Sequence, residues 1–131
     1  YAAVIPLFVN KIMKREEVFI DGDGEQTRDF TFVENAVQAN VKAMLTENAE
    51  AAGNVFNIAV GENFSVNRLY QEIQKMLNSN HAATYRAERP GDVRNSLADI
   101  SKARTYLGYQ PEFNFEKGLA ITVAYFKSLQ T

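Results

Sequence analysis

One arginine follows a glycine-rich turn, in the stretch "GDGEQTRDF" that spans residues 22–30. Gly22 and Gly24 predict a tight turn, after which Arg28 lies between polar and acidic neighbours. Its guanidinium presents a rigid fork of N–H donors that matches the oxygens of a phosphate group. The alternative is a structural ion pair at the end of a strand, with Asp29 or Glu25 as partner, and such exposed pairs contribute little.

A second arginine belongs to the stretch "ERPGDV", residues 88–93. Pro90 and Gly91 predict a turn, with Pro90 fixing one torsion and Gly91 supplying a positive φ. This turn projects Arg89 and Asp92 from one small loop. Arg89 could bind a phosphate and Asp92 could accept hydrogen bonds from the two hydroxyls of a ribose, which together suit a nucleotide. The alternative is a turn without a ligand.

Composition excludes several other classes of function. The chain has 131 residues, a net charge of −2 and a pI near 5.4, which argues against a nucleic-acid partner. Without cysteine, disulfides and thiolate metal sites are excluded. His81 stands alone in a polar stretch, so a loop role is favoured over a metal or catalytic role. No apolar run is long enough to cross a bilayer and no signal peptide is visible, so we expect no membrane contact and a cytoplasmic location.

The elements that must position these residues alternate between helices and short strands. Helical spacing of apolar residues is predicted over 4–13, 34–48, 99–109 and 115–129, and Ser65 predicts the cap of a helix that runs to Leu77. Strands are predicted at "VFID", "RDFTFV", "VFNIAV" and "AATYRAE". The expected fold is a mixed α/β domain over 1–131, with helices packed on short strands. Arg15 stands where a glycine would more naturally end the first helix.

The stretch "VFNIAV", residues 55–60, is apolar on both faces apart from Asn57. This pattern is typical of a buried strand in a parallel sheet. Separated from such a sheet, the strand would expose backbone donors and an apolar face. We therefore expect this chain on its own to self-associate through residues 55–60, to swap elements between copies or to be marginally stable.

Several stretches occur together in one order, and as a set they are specific. They are "GDG-x-x-x-RDF", "RDF-x-(aromatic)-V-E-N", "NIAVG", "RPGD", "GDVR-x-SLADISKA" and "LGY-x-P". Over essentially its whole length the chain resembles the C-terminal, substrate-binding portion of extended short-chain dehydrogenase/reductases that act on nucleotide sugars. Within that family it is most similar to the UDP-N-acetylglucosamine 4-epimerases of bacterial surface-polysaccharide pathways.

The resemblance implies an isomerase that uses tightly bound NAD. Hydride leaves the fourth carbon of the sugar, the 4-keto intermediate rotates, and hydride returns to its other face, with a tyrosine as base beside a lysine. The NAD-binding Rossmann half of the family carries that Tyr-x-x-x-Lys pair. Here no G-x-x-G-x-x-G occurs, and none of the six tyrosines is followed by lysine four residues later. We therefore expect a fragment, beginning mid-pattern at Tyr1, that is inactive alone and belongs to a homodimeric parent.

The resemblance also implies roles for individual residues. Arg28 and Arg89 would both reach the UDP diphosphate, Asp92 would bind the ribose, and Ser96 would border the sugar pocket. A small residue there leaves room for an N-acetyl group, so the expected ligand is a UDP-N-acetylhexosamine. Two further groups of residues would contact the ligand. The strand residues Phe19, Ile20 and Asp21 would flank the uracil, and Ala3 and Val4 at the start of the first helix would lie near the phosphates. Two alternatives stay open, a nucleotide-sugar dehydratase or decarboxylase of the same family and a non-catalytic nucleotide-binding module.

Overall fold

The computed structural model describes residues 3–129, so Tyr1 lies outside the described residues. Helices alternate with short strands, which confirms the predicted mixed α/β class. In chain order the elements are α1 (Val4–Lys14), β1 (Val18–Asp21), β2 (Thr27–Arg28), α2 (Val33–Leu45), a 3-10 turn (Ala49–Ala51), β3 (Phe64–Ser65), α3 (Val66–Met76), β4 (Ala83–Arg86), α4 (Ser101–Leu107) and α5 (Phe115–Ser128).

The strands form two small pairs. β1 runs parallel to β4, with a register that sets Asp21 opposite Arg86. β2 runs antiparallel to β3, and Asn95 forms an isolated parallel bridge to Thr27 on β2. Because β1 and β4 are parallel, the loops that follow them leave the same edge. The loop after β1 leads into β2 and so to Arg28, and the loop after β4 contains the Pro90–Gly91 turn.

Two apolar clusters hold these elements in place. In the first, α1, α3 and α5 pack on β1, and fully buried members include Phe8, Ile20, Leu69 and Ile73. In the second, α2 and α4 pack around Tyr109, whose hydroxyl donates to the backbone oxygen of Ala59 at 2.8 Å.

Helix ends follow the predicted signals. Ser65 caps α3, its hydroxyl oxygen accepting from the backbone N–H of Arg68 at 3.1 Å, and Gly108 ends α4 in the left-handed region. Arg15 ends α1 with a φ of 56°, and the N–H groups of Arg15 and Glu16 donate back into the last turn. The position is thus one that favours glycine, as the sequence indicated, although an arginine occupies it.

The predicted strand "RDFTFV" is wrong beyond its first residue, since β2 covers only Thr27–Arg28. The aromatic residues that suggested a strand instead pack against α5. The rings of Phe30 and Phe115 lie 5.8 Å apart, and Phe32 lies so close to Gly118 that a Cβ there would come within 2.6 Å. The apolar residues of this stretch therefore pack against a helix and do not form a paired strand.

The predicted strand at 55–60 is also wrong for the part of the chain that the structure describes. A strand needs a hydrogen-bonded neighbour, and residues 3–129 supply none for this stretch. Phe56 contacts Tyr106 of α4, Asn57 donates to the backbone oxygen of Asp99, and Val55 is 83% exposed. The stretch therefore lies along α4 on one side and faces solvent on the other.

A row of apolar side chains on α2 faces solvent. Its members recur at helical spacing: Val33, Val37, Val41, Met44 and Leu45. Such a contiguous exposed row marks a surface that another element or molecule covers. Among residues 3–129, no helix is both long and apolar enough to cross a membrane.

Candidate functional site

Two loops face each other at the edge where β1 and β4 end. With the strand residues at their ends included, the first spans residues 21–28 and the second spans residues 86–96. Three arginine–aspartate ion pairs cross between them, and in each pair the two partners come from different loops. The pairs are Arg28–Asp92, Arg86–Asp21 and Arg94–Asp23. We call these three pairs the ion-pair ladder.

The first turn of α3 fixes the glycine-rich turn. Gly22 and Gly24 have φ values of 70° and 77°, which are left-handed values that glycine adopts without strain. Asn67 contacts the turn from α3, its backbone N–H donating to the oxygen of Gly24 and its side-chain amide donating to Asp23 and Glu25. The turn is followed by β2 and not by a helix, so it is not a dinucleotide-binding loop.

The Pro90–Gly91 turn has the predicted geometry. The backbone N–H of Asp92 donates to the oxygen of Arg89 at 3.1 Å, and Gly91 has a φ of 78°, as position i+2 of a type II turn requires. Arg89 and Asp92 therefore stand at the two ends of one four-residue turn.

Arg28 is held by three acceptors. Its Nη1 donates to the backbone oxygens of Thr27 at 2.7 Å and Val93 at 2.6 Å, and its Nη2 donates to Oδ1 of Asp92 at 2.5 Å. Asp29, offered above as the structural partner, instead accepts the backbone N–H groups of Val60 and Gly61. The carboxylate that pairs with Arg28 is thus the one assigned to the ribose from the sequence.

A small polar hollow of about 90 Å³ lies between the two loops. Its lining residues are all polar or glycine: Asp21, Gly22, Gln26, Glu88, Arg89, Asp92 and Arg94. Gln26 is nine-tenths buried, and its amide nitrogen donates to the backbone oxygen of Asp21 at 2.8 Å. Its Oε1 is buried and has no hydrogen-bond partner among residues 3–129.

A larger apolar cleft of about 830 Å³ opens beside Arg28. Ala3, Val4 and other residues of the start of α1 line it on one side, and residues 28–33 and α5 line the rest. Arg28 and Asp29 are its charged lining residues. Because Arg28 lines the cleft while Asp92 lines the polar hollow, their ion pair stands at the boundary between the two.

The remaining predicted residues lie outside both spaces. Ile20 is fully buried in the first apolar cluster, so only its backbone is available to a ligand. The ring of Phe19 lies between Lys11 and Arg86, with Nζ and Cζ at 5.4 and 5.2 Å from its centroid. Ser96 is exposed, and its backbone N–H donates to the oxygen of Thr27 at 3.2 Å.

Two aspartates of the ion-pair ladder, Asp21 and Asp23, have lowered pKa values. The bidentate hydrogen bonds from Arg94, at 2.7 and 2.8 Å, lower the pKa of Asp23 to about 2. The hydrogen bond from Arg86 lowers the pKa of Asp21, with a further contribution from the charge of Arg89. A carboxyl group with a lowered pKa stabilises the folded protein at pH values above its ordinary pKa, which is near 3.8. For Asp23 this contribution is lost as the pH falls from 3.8 towards 2.

Sequence reasoning missed six residues of this site: Asp23, Gln26, Asn67, Arg86, Glu88 and Arg94. The available signal was a match of charge between two stretches, since acidic "DGDGE" meets "RAERPGDVR", whose arginines recur every few residues. Opposite charges on two stretches that each follow a predicted strand would have indicated pairing between those stretches.

Known proteins are similar to this chain in sequence and in fold. The sequence model of the GDP-mannose 4,6 dehydratase family matches residues 2–122. The dTDP-glucose 4,6-dehydratase of Haemophilus influenzae is 37% identical over 138 residues, and the UDP-glucose 4-epimerase of Mycolicibacterium smegmatis is 32% identical over 127 residues. These matches cover 94% and 97% of this chain but 39% and 40% of the relatives.

Solved structures give the same result. The Thermotoga maritima UDP-glucose 4-epimerase with UDP-glucose superposes with a TM-score of 0.91 at 36% identity, covering 99% of this chain and 41% of that one. The Methanobrevibacter ruminantium UDP-N-acetylglucosamine 4-epimerase, in complex with UDP-N-acetylmuramic acid, gives 0.88 at 40% identity, covering 98% and 40%. The resemblance inferred from the sequence is confirmed, and this chain, which spans about 40% of the length of its relatives, belongs to the GDP-mannose 4,6 dehydratase family.

Proposed function

We propose that this chain is the nucleotide-sugar-binding portion of an NAD-dependent UDP-N-acetylglucosamine 4-epimerase. The observation that carries the proposal is the pairing of Arg89 and Asp92 on one turn, directly across from Arg28. Arg89 and Asp92 line the polar hollow, and Arg28 pairs with Asp92 from the neighbouring cleft, so two guanidinium groups and a carboxylate lie where a nucleoside diphosphate could bind. The identity of 40% to a UDP-N-acetylglucosamine 4-epimerase supports the choice of sugar.

Arg89 is the cation most available to an anionic ligand. It is exposed, and among the described residues it has no ion pair within 4.0 Å, although Asp21 lies within reach of its charge. In the proposed complex Arg89 binds the diphosphate first and Arg28 binds it from the cleft side, near Ala3 and Val4. Asp92 accepts the ribose hydroxyls, and the backbone of β1 at Asp21 flanks the uracil.

The residues of this chain do not fit NAD. The glycine-rich turn leads into β2, and among the described helices none follows a strand through a G-x-x-G-x-x-G loop. The sequence also lacks a Tyr-x-x-x-Lys pair. We therefore propose that the cofactor and the catalytic base belong to the part of the full-length protein that this chain does not represent. Solved relatives are described in complex with NAD, which agrees with such a division.

That remaining part would also cover the exposed apolar surfaces. The apolar row on α2 and the solvent side of residues 55–60 are separate patches that water contacts in this chain. We propose that both are buried in the full-length protein, and that this chain alone associates through 55–60 because nothing covers it.

Loss of Arg89 is expected to weaken the binding of UDP. In the full-length protein, Arg89→Ala removes a charged hydrogen-bond donor whose contribution is about 1.5–3 kcal/mol, or about 10- to 100-fold in the dissociation constant. Titration calorimetry with UDP measures this change. The matched control is Arg68→Ala on α3, an exposed arginine that pairs with Glu72 away from the site. Equal affinities of the wild type and Arg89→Ala for UDP would contradict the proposal.

Enlarging residue 96 is expected to discriminate between two sugars. In the full-length protein, Ser96→Tyr should lower kcat/KM for UDP-N-acetylglucosamine by about tenfold or more, because the ring would occupy the space proposed for the N-acetyl group. Turnover of UDP-glucose by the same variant serves as the internal control and should change little. If both substrates lost activity equally, residue 96 would have no part in choosing the sugar.

A further inference from the structure

We propose that the Arg28–Asp92 ion pair is a latch that a nucleoside diphosphate opens on binding, so that diphosphate and ribose are recognised together. The inference rests on the proposed function, because it concerns the same ligand. It starts from one observation: the two side chains assigned to different parts of that ligand are hydrogen-bonded to each other at 2.5 Å. While this contact persists, Nη2 of Arg28 and Oδ1 of Asp92 each give a hydrogen-bonding position to the other side chain and not to a ligand.

Arg28 can exchange one partner and keep the others. A guanidinium has five N–H groups, and three of those of Arg28 have partners in the described chain. Nη1 is held by the backbone oxygens of Thr27 and Val93, which a ligand does not displace. Nη2 contacts only the carboxylate among these acceptors. A phosphate oxygen can therefore replace Asp92 at Nη2 while Nη1 keeps the guanidinium in position.

The rest of the ion-pair ladder keeps the loops together while the latch opens. Arg94 binds both oxygens of Asp23, and the backbones of Thr27 and Arg94 are joined by an N–H···O bond of 2.8 Å. Ser96 adds a second backbone bond to Thr27. Asp92 can therefore leave Arg28 by a rotation of its own side chain, while the two loops stay together.

The latch contact is weak enough to open. The side chains of Arg28 and Asp92 are 29% and 36% exposed, so solvent screens their attraction. Exposed pairs of this kind shift an equilibrium by roughly two- to fivefold. A ligand that supplies both a diphosphate and a ribose compensates both partners, whereas a ligand that supplies only one leaves the other partner without its ion pair.

This arrangement predicts coupling between the two halves of the ligand. Inorganic pyrophosphate must displace Asp92 from Arg28, but it offers no hydroxyl groups to the released carboxylate. Uridine must displace Arg28 from Asp92, but it offers no anion to the released guanidinium. Each fragment therefore lowers the cost of binding the other. Since such coupling is reciprocal, uridine should raise the affinity for pyrophosphate by the same factor as pyrophosphate raises that for uridine.

The test uses the full-length protein and titration calorimetry with pyrophosphate, uridine and UDP. Asp92→Asn removes the charge with little change of shape, and we expect it to bind pyrophosphate about two- to fivefold more tightly than the wild type. It should bind uridine and UDP more weakly, because an amide accepts fewer hydrogen bonds from the ribose diol. Weaker binding of pyrophosphate by Asp92→Asn would overturn the latch.

A matched variant distinguishes the effect of breaking the Arg28–Asp92 ion pair from the effect of removing a negative charge near the site. Glu88 lines the same polar hollow, so Glu88→Gln also removes one negative charge there. We expect Glu88→Gln to raise the affinity for pyrophosphate by less than Asp92→Asn does. Equal gains from the two variants would mean that only net charge matters, and they would overturn the latch.

A measurement on the wild type does not depend on any variant folding. Pyrophosphate affinity is measured with and without saturating uridine, and uridine should raise it about two- to fivefold. Independent binding would overturn the latch while leaving the proposed function intact, provided that UDP binds and Arg89→Ala weakens it. Absence of UDP binding to the wild type would overturn both.

Discussion

Gly24→Ala is expected to lower the free energy of unfolding by about 3 kcal/mol, measured by urea denaturation. The residue has a φ of 77°, where an alanine costs about 1–2 kcal/mol. A Cβ there would also lie 2.0 Å from Oδ1 of Asn67, so the Asn67 side chain must leave. Its hydrogen bonds to the backbone of Asp23 and to Glu25 would then be lost, at about 1 kcal/mol each.

Gly53→Ala is the matched control for this prediction. Gly53 has a similar φ of 70°, but no atom of residues 3–129 lies within 4 Å of the position that its Cβ would take. Only the backbone cost of about 1–2 kcal/mol is expected there. If the two alanine variants were equally stable, the contact between Asn67 and the glycine-rich turn would have no energetic importance.

Features that depend on a few neighbouring residues were predictable from the sequence. Ser65 caps its helix because a hydroxyl can satisfy an N–H of the first turn, and Gly108 ends α4 because glycine adopts a left-handed conformation freely. The same reasoning identified position 15 as one that favours glycine. These signals are local, so tertiary contacts did not need to be known.

The two wrong strands show where local reasoning ends. Residues 29–33 and 55–60 have the apolar and β-branched residues of strands, but a strand forms only where a partner exists. Asp29 instead binds the N–H groups of Val60 and Gly61, and thereby joins these two stretches by a side chain. Contacts over such sequence separations follow from the fold, not from the pattern of either stretch.

The candidate site was predictable in its residue types and not in its pairing. A guanidinium after a glycine-rich turn and a turn with both charges were compatible with a nucleotide and with structural ion pairs, and the family resemblance favoured the nucleotide. That Arg28 binds Asp92 depends on a separation of 64 residues and on the parallel register of β1 and β4. The position of Asp92 at the boundary of cleft and hollow is likewise a property of the folded chain.

The asparagine of the "VEN" motif has a structural role that the sequence did not indicate. Asn35 is fully buried in α2, and its side chain pairs with the backbone of Phe113 in both directions. Its Nδ2 donates to the oxygen of Phe113 at 2.7 Å, and its Oδ1 accepts from the N–H of the same residue at 3.1 Å. One side chain thus satisfies both backbone groups of a loop 78 residues away.

Asn35→Ala is therefore expected to lower the free energy of unfolding by about 3 kcal/mol in urea denaturation, because it removes two hydrogen bonds and leaves backbone groups of Phe113 without partners. The control is Asn40→Ala in the same helix, where an exposed side chain donates only to the oxygen of Ala36. That variant should change stability by less than 1 kcal/mol, since alanine also favours the helix. Asn35→Asp retains the shape but sets a carboxylate oxygen against the oxygen of Phe113, so it should destabilise as well. If the Asn35→Asp variant were as stable as the wild type, the hydrogen bond that the amide donates to Phe113 would not contribute to stability.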